Sequence, residues 1–440
     1  YAASLAPDML DNLDNFNIDA KTVRPVWLTF SIPADAVAGI YKSNLKLYAD
    51  RNFAEEFEIE IEVVDQLLPD PSEWVYHLDL WQHPSAVARV HNLEMWSDAH
   101  FEKMRPLMKM LADAGQKVIT ATLNIDPWNN QSFDAYSDMI IWTKNEDKTW
   151  SFDYTVFDKW VEFMMDLGVN DMINCYSLLT WNNKLHYNDM EKKELVTLEL
   201  PAQSAQYTEI WTLFLTDFTR HLKEKGWLEI TNIAMDERSP ADMQAAMKVL
   251  NDAAPELGIS LADNHKSYKE YPGIKDISAG AGSVVEVEDI AARREKGLIT
   301  TWYVCCADPF ANTFTFSESA EAVYSAWRTV AGNFDGMLRW SYNSWVENPL
   351  TDSRFRTWPA GDTYIIYPDA RSSIRFERLV EGVQDAEKIR VLRKQYSDEN
   401  SAESLVKLNE LEETIKYFDT LEPSDDWNDK LNEAKQLLNK

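Results

Sequence analysis

Residues 230–263 read ITNIAMDERSPADMQAAMKVLNDAAPELGISLAD, and within that run the hydrophobic period changes twice. ITNIAMD is an apolar run of strand length that ends in Asp236, with Glu237 next. Ser239 then offers a cap and Pro240 a first-turn proline, so the spacing predicts a helix over 240–253. GISLAD (258–263) reads as a second buried strand, which makes the whole stretch one βαβ unit of a parallel sheet.

The same grammar extends in both directions. Strands are predicted at 75–81, 117–123, 172–178, 230–236, 258–263, 284–289, 299–305 and 336–342. Further helices are predicted at 98–113, 155–167, 205–225 and 319–331. This alternation predicts an α/β fold, a (β/α)8 TIM-type barrel, over residues 67–395. Upstream, PVWLTFSIP, IYKSNLKLYA and FEIEIEVV alternate with period two, as antiparallel strands with one buried face do. A complete sandwich holds about seven strands, so residues 1–66 read as a partial N-terminal antiparallel β-sandwich, with LLPDPSEW as the linker. Beyond residue 375 the pattern is helical and charged, and 396–440 read as a C-terminal helical tail packed on the barrel exterior.

Composition narrows the function. With 43 Lys+Arg against 73 Asp+Glu the formal charge is −30, which repels phosphate backbones and anionic headgroups, so neither nucleic acid nor a membrane surface is an expected partner. The 17 Trp, 18 Tyr and 18 Phe supply flat apolar faces suited to sugar rings, although most such residues pack in cores. Cys175, Cys305 and Cys306 imply no disulfide framework, the seven His follow no metal-ligand spacing, and no cofactor or metal is expected. No apolar run is long enough to span a bilayer. The opening YAASLAPDML lacks the regions of a signal peptide and reads as the start of a mature or trimmed chain.

In such a barrel, reactive side chains cluster where strands run into the following loops. Asp236 and Glu237 stand at the end of the fourth strand, bounded by Arg238. Glycoside hydrolysis needs a proton donor at the leaving oxygen and a group that meets the developing positive charge at the anomeric carbon. Neighbouring carboxylates are badly placed to flank a sugar on opposite faces, but they suit a reaction in which the substrate's own 2-acetamido oxygen attacks. Asp236 would then orient the acetamido nitrogen, and Glu237 would act as acid and later as base. Candidate substrate-binding residues at other strand ends are Asp79 and Trp81, Tyr176 and Trp181, Tyr303, and Trp340, Tyr342, Asn343 and Trp345, with Tyr303 a possible donor to the acetamido oxygen.

Several stretches, LPDPSEW, HLDLWQHP, WSDAHFEKMRPLMKMLADAGQK, AMDER, TWYVCC, NTFTFS, LRWSYNSWVENPLTDSRF, WPAGDTYIIYP and SSIRFERLVEGVQDAEKI, give the chain a resemblance from about 67 to 395. By these it resembles glycoside hydrolase family 123, the β-N-acetylgalactosaminidases. The resemblance implies a catalytic barrel behind a β-sandwich and retaining, exo-acting release of terminal β-linked N-acetylgalactosamine by substrate-assisted (oxazolinium) catalysis. It maps the family's Asp-Glu pair onto Asp236 and Glu237. It also implies a glycan or glycolipid oligosaccharide as partner, including glycosphingolipid glycans, and export from a bacterial cell. The N-terminal region is shorter here than is usual in the family. Hydrolysis of a β-N-acetylglucosaminide, and a non-catalytic glycan-binding protein on a barrel scaffold, are the alternative readings.

Overall fold

The structure, a computed structural model, describes residues 5–283 and 285–439. In chain order its strands are β1 (Gly39–Ala49), β2 (Asn52–Val63), β3 (His77–Leu80), β4 (Val118–Thr122), β5 (Ile141–Lys144), β6 (Trp150–Asp153) and β7 (Met172–Tyr176). There follow β8 (Lys184–Asp189), β9 (Glu194–Glu199), β10 (Thr231–Asp236), β11 (Gly258–Asp263), β12 (Asp276–Gly280), β13 (Ile299–Tyr303) and β14 (Gly336–Arg339). Eight of them form one parallel sheet in the order β3-β14-β13-β12-β11-β10-β7-β4, the nearly closed barrel that the alternation predicts. The helices fall where the periodicity puts them, at Asp98–Asp113, Thr155–Asp166, Ala205–Lys225, Pro240–Ala253 and Ala320–Ala331. Ser239 caps Pro240–Ala253 by accepting from the Asp242 N–H at 3.2 Å.

Between β3 and β4 the ladder is replaced by a seam of side chains. Only one backbone bridge, Leu78 with Gln116, links the two strands. Gln116 accepts from the Leu80 N–H at 2.9 Å and donates to the Val118 carbonyl at 2.7 Å. Gln82 accepts from the Thr120 N–H at 2.8 Å and donates to the Leu80 and Val118 carbonyls. Both glutamines are buried. Their amides carry a donor and an acceptor each, as a peptide group does, and so continue the hydrogen bonding around the ring.

The strands sort their residues by alternation. Leu78, Leu80, Ile119, Ala121, Ile173, Cys175, Ile233, Met235, Ile277, Trp302 and Met337 point outward into the main apolar core under the helices. The inward positions are mostly polar: Asp79, Thr120, Asn174, Asn232, Ser260, Asp276, Ser278 and Thr301 are all buried there. Bulky branched residues, the usual filling of such a barrel, are scarce on this side. An apolar set, Trp81, Tyr176, Ala234, Ala262, Tyr303 and Leu338, forms a separate cluster near the strands' C-terminal ends.

Two expectations need correction. The sixth strand is Asp276–Gly280, not 284–289; Val284 lies outside the described residues, and Val287–Arg294 is a helix with Glu286 at its cap and Glu288 and Asp289 in its first turn. DISAG is too small and polar to read as a buried strand, whereas VVEVED alternates by accident. In place of two facing sheets, β1 and β2 form a single antiparallel ribbon, and PVWLTFSIP is unpaired and exposed. A four-stranded sheet, β6-β5-β8-β9, built from the segments after β4 and β7, was not anticipated. At the other end one helix, Ile374–Glu399, runs through residue 395, and the helices Ala402–Lys416 and Trp427–Leu437 follow. Its Glu387 accepts from the Val75 and Tyr76 N–H groups at 2.7 Å each, and its Arg375 is paired in the interior with Asp8 at 2.8 Å.

Gln116→Leu removes the partner of the Leu80 N–H and the nearer of two donors to the Val118 carbonyl, while keeping the side chain's bulk. At roughly 1–3 kcal/mol for a buried orphan, a loss of at least about 1 kcal/mol is expected in urea unfolding. A variant as stable as the parent would show that the seam does not hold the barrel.

Candidate active site

Asn232, Ala234 and Asp236 occupy the inward positions of β10, so Asp236 reaches the mouth by simple alternation. Glu237 would then point outward. Instead its backbone is left-handed, with φ of 45°, and its N–H donates to the Ala262 carbonyl at 2.9 Å. This turn brings two consecutive carboxylates to one mouth. The Trp128 Nε1–H donates to Asp236 Oδ2 at 3.0 Å, and the Tyr303 hydroxyl donates to Glu237 Oε1 at 2.5 Å.

Around the pair stands an aromatic cup. Trp81, Trp128 and Tyr176 lie with ring centroids 4.9, 4.7 and 4.8 Å apart, and Tyr136 adjoins Trp128 at 4.6 Å. Trp181, Trp340 and Cys305 pack against this cluster from less buried positions. The Arg238 guanidinium lies 5.2 Å over the Trp181 ring, and its Nε–H donates to the Asp236 backbone carbonyl at 2.7 Å.

Five of the nine expected binding residues therefore gather at the cup: Trp81, Tyr176, Trp181, Tyr303 and Trp340. Asp79 sits one inward position below Trp81, sealed from solvent. Tyr342, Asn343 and Trp345 are placed elsewhere, because β14 ends at Arg339 and the chain beyond it seals the barrel wall. The Tyr342 hydroxyl donates to the Leu107 carbonyl at 2.9 Å and Trp345 Nε1–H to the Ile366 carbonyl at 2.8 Å, both within the main core. The Asn343 amide clamps the His83 backbone, accepting from its N–H at 2.9 Å and donating to its carbonyl at 3.0 Å.

Trp128 and Tyr136 escaped the sequence reading. Both lie in the segment after β4, where a Trp in the run NIDPWNN follows a predicted strand, the same signal that singled out the other strand ends. Tyr136 is held by a parallel stack on His83, with centroids 3.7 Å apart.

Burial first, and the adjacent Glu237 charge second, push the Asp236 carboxyl up to about 7; Arg238 and the Trp128 hydrogen bond pull the other way. Burial and the bond to Glu237 raise Tyr303, so its hydroxyl remains a donor. Because the folded value of Asp236 lies above its unfolded one, the native state holds this proton longer than the unfolded chain does. Its contribution favours the fold below about pH 4 and is lost as pH rises through about 7. Among the described residues no group of three or more His, Cys, Asp or Glu is arranged to hold a metal ion, and no helix is long and apolar enough to cross a membrane.

Paired carboxylates beside an aromatic cup, at the C-terminal mouth of a β/α barrel, are an arrangement that glycoside hydrolysis can use. The comparisons identify which kind. The chain belongs to glycoside hydrolase family 123: the model of that family's catalytic domain matches residues 81–392, and the model of its N-terminal domain matches residues 1–49. A family 123 glycoside hydrolase from Clostridium perfringens, whose structure was described for glycolipid glycan hydrolysis, is 32% identical, with a TM-score of 0.83 over 92% of this chain and 76% of that one. SrfJ from Salmonella typhimurium is 9% identical, with a TM-score of 0.38 over 74% of this chain and 80% of its own. The maltogenic α-amylase AmyB from Thermotoga neapolitana is 11% identical, with a TM-score of 0.40 over 71% and 76%. No curated protein matches the chain.

Trp128→Phe keeps the ring but removes the N–H that favours the charged form of Asp236. Carboxyl-carbon NMR is expected to place the Asp236 titration near pH 7 in the parent and higher in the variant. An unchanged midpoint would mean that the indole does not act on this carboxylate.

Proposed function

We propose that this protein is a retaining, exo-acting β-N-acetylgalactosaminidase that removes the terminal sugar of glycan or glycolipid oligosaccharides by substrate-assisted catalysis. The observation that carries the reading is the geometry of the carboxylate pair. Asp236 borders an apolar cup of the kind that suits an acetamido methyl group, and Glu237 stands beside it with Oε1 engaged by Tyr303. The C. perfringens relative, whose structure was described for glycolipid glycan hydrolysis, supports the substrate class.

In this reading the ionised Asp236 accepts the acetamido N–H, with Trp128 holding its other oxygen. The acetamido carbonyl oxygen attacks the anomeric carbon as the glycosidic bond breaks. Glu237 gives its proton to the leaving oxygen, so the first products are the free aglycone and a bound oxazolinium whose positive charge faces Asp236. Glu237, now a carboxylate, takes a proton from water as that water attacks the anomeric carbon. The ring opens, the acetamido group is restored, and two inversions give net retention.

Glu237→Gln is expected to lose nearly all turnover of glycosides with poor leaving groups, and much less on activated aryl glycosides. Equal losses on both would remove Glu237 from the acid role, and an Asp236→Asn variant with full activity would remove Asp236 from the mechanism.

The substrate assignment is tested by hydrolysis of paired aryl β-N-acetylgalactosaminide and β-N-acetylglucosaminide, with and without a thiazoline mimic of the cyclised intermediate. Preferential cleavage of the galacto substrate, blocked by the thiazoline, is the expected result. Preference for the gluco substrate would make the protein a β-N-acetylglucosaminidase, and cleavage insensitive to the thiazoline would exclude acetamido participation.

A further inference from the structure

Trp128 reaches Asp236 from a segment with no regular structure of its own. Residues 126–136 lie between β4 and β5 without a helix or strand, and Asp126, Asn129 and Asn130 have left-handed backbones, with φ of 46°, 52° and 61°. The base of this loop is closed by the Asp126 N–H, which donates to the Tyr136 carbonyl at 2.9 Å, and by the Asn130 N–H, which donates to Asp126 Oδ2 at 2.7 Å. The Pro127 carbonyl accepts from the Trp181 N–H at 2.8 Å. With so few internal bonds, the shape of the loop depends on what grips it from outside.

The main grip is a single arginine. Arg89, on the short helix Pro84–Val90 that follows β3, donates through Nε to both carboxyl oxygens of Asp134, at 2.7 and 2.8 Å. Its Nη2 donates to the Trp345 and Val346 carbonyls at 2.8 and 2.9 Å, and its Nη1 to the Glu347 carbonyl at 3.4 Å. The same guanidinium lies 4.5 Å over the Phe133 ring. One planar cation thus joins the segments that follow β3, β4 and β14, a task for which the fixed fork of arginine is suited and the ammonium of lysine is not. Burial raises the Asp134 carboxyl, and Arg89 is the group that opposes the rise. Two lesser ties run between the same loops: Arg356 Nη1–H donates to the Asn130 carbonyl at 2.6 Å and Trp358 Nε1–H to the Gln131 carbonyl at 3.2 Å.

We propose that Arg89 is a positioning residue for the reaction: by fastening Asp134 to the carbonyls of residues 345–347 it fixes the 126–136 loop, and through that loop it keeps the Trp128 indole N–H on Asp236. The bond at stake is 3.0 Å long. A separation of about 3.6 Å is no longer a hydrogen bond, so a small slip of the loop is enough to break it. With the indole in place, Asp236 has one oxygen engaged and the other available to the acetamido N–H. The other groups that bear on Asp236 are Glu237 and Arg238 on its own segment and the Tyr176 and Tyr303 phenols across the cup, and none of these is tied to Arg89 or Asp134. The catalytic part of this inference rests on the substrate-assisted reading, whereas the clamp itself does not.

The test is the Asp236 titration in the full chain, read by carboxyl-carbon NMR in Arg89→Gln and Asp134→Ala. Acting on Asp236 only through space, loss of the cation would raise the midpoint and loss of the anion would lower it. A clamp moves both variants upward, by no more than Trp128→Phe does, and adds no further upward shift when either is combined with Trp128→Phe. Opposite shifts, or no shift in either variant, would overturn the proposal. Asp134→Ala leaves Arg89 its three carbonyls, so should Arg89→Gln not fold, an unmoved or lowered midpoint in Asp134→Ala alone is enough to overturn it. The acid limb of kcat/KM on an aryl β-N-acetylgalactosaminide is expected to move upward with the titration. A displaced titration with an unmoved limb would remove Asp236 from the reaction and leave the clamp standing, so the two readings fail separately.

Discussion

Everything at the mouth depends on how the ring is closed between its first and second strands. Seven of the eight junctions are ordinary parallel ladders, but at the eighth two glutamine amides stand in for backbone. The substitution has a geometric effect. Trp81 leaves the end of β3, and Trp128 leaves the segment after β4, so the seam sets the distance between two walls of the cup. The chain after β14 adds a second tie at the same corner, since the Trp81 N–H donates to the Arg339 carbonyl at 3.2 Å and the Tyr342 N–H to the Trp81 carbonyl at 3.0 Å. Trp81 is thereby fixed at both of its peptide groups.

Two kinds of packing meet across the sheet. Outward positions feed a large apolar core shared with the helices, where burial provides the main stabilisation. Inward positions provide hydrogen bonds below and aromatic surface above. The Trp and Tyr rings on the inner side are thus gathered at the end where the carboxylates stand. That placement desolvates Asp236 and gives its neighbour's charge more effect than it would have in water.

The βα units were legible where local signals agreed. Around Asp236 the strand pattern, the Ser239 cap, the first-turn Pro240 and the next strand all point the same way; the structure follows the helix and the second strand to the residue and starts the first strand one residue later, at Thr231. DISAG was not legible, because a strand buried by its neighbours needs no strong apolar character of its own. The ribbon β1–β2 kept its alternation, but PVWLTFSIP shows that alternation without a pairing partner does not make a strand. At the candidate site, position at a strand end picked out Asp236, Glu237, Trp81 and Tyr303, which the structure gathers at one mouth. It failed for Tyr342 and Trp345, where the same aromatic residue types pack into the wall, since residue type alone does not say on which side of the sheet a ring will lie. Asn343 was misjudged for a related reason: its amide satisfies the backbone of His83, a partner 260 residues away in the chain.

The left-handed backbone at Glu237 has a consequence for how the protein changes over generations. A glycine or an asparagine would occupy this conformation more readily, whereas a residue with a longer side chain pays roughly 1–2 kcal/mol to stay there. Drift at this position therefore has a downhill direction, toward a more relaxed turn without a carboxylate. A glutamate held in that turn is a residue that backbone stability alone does not favour.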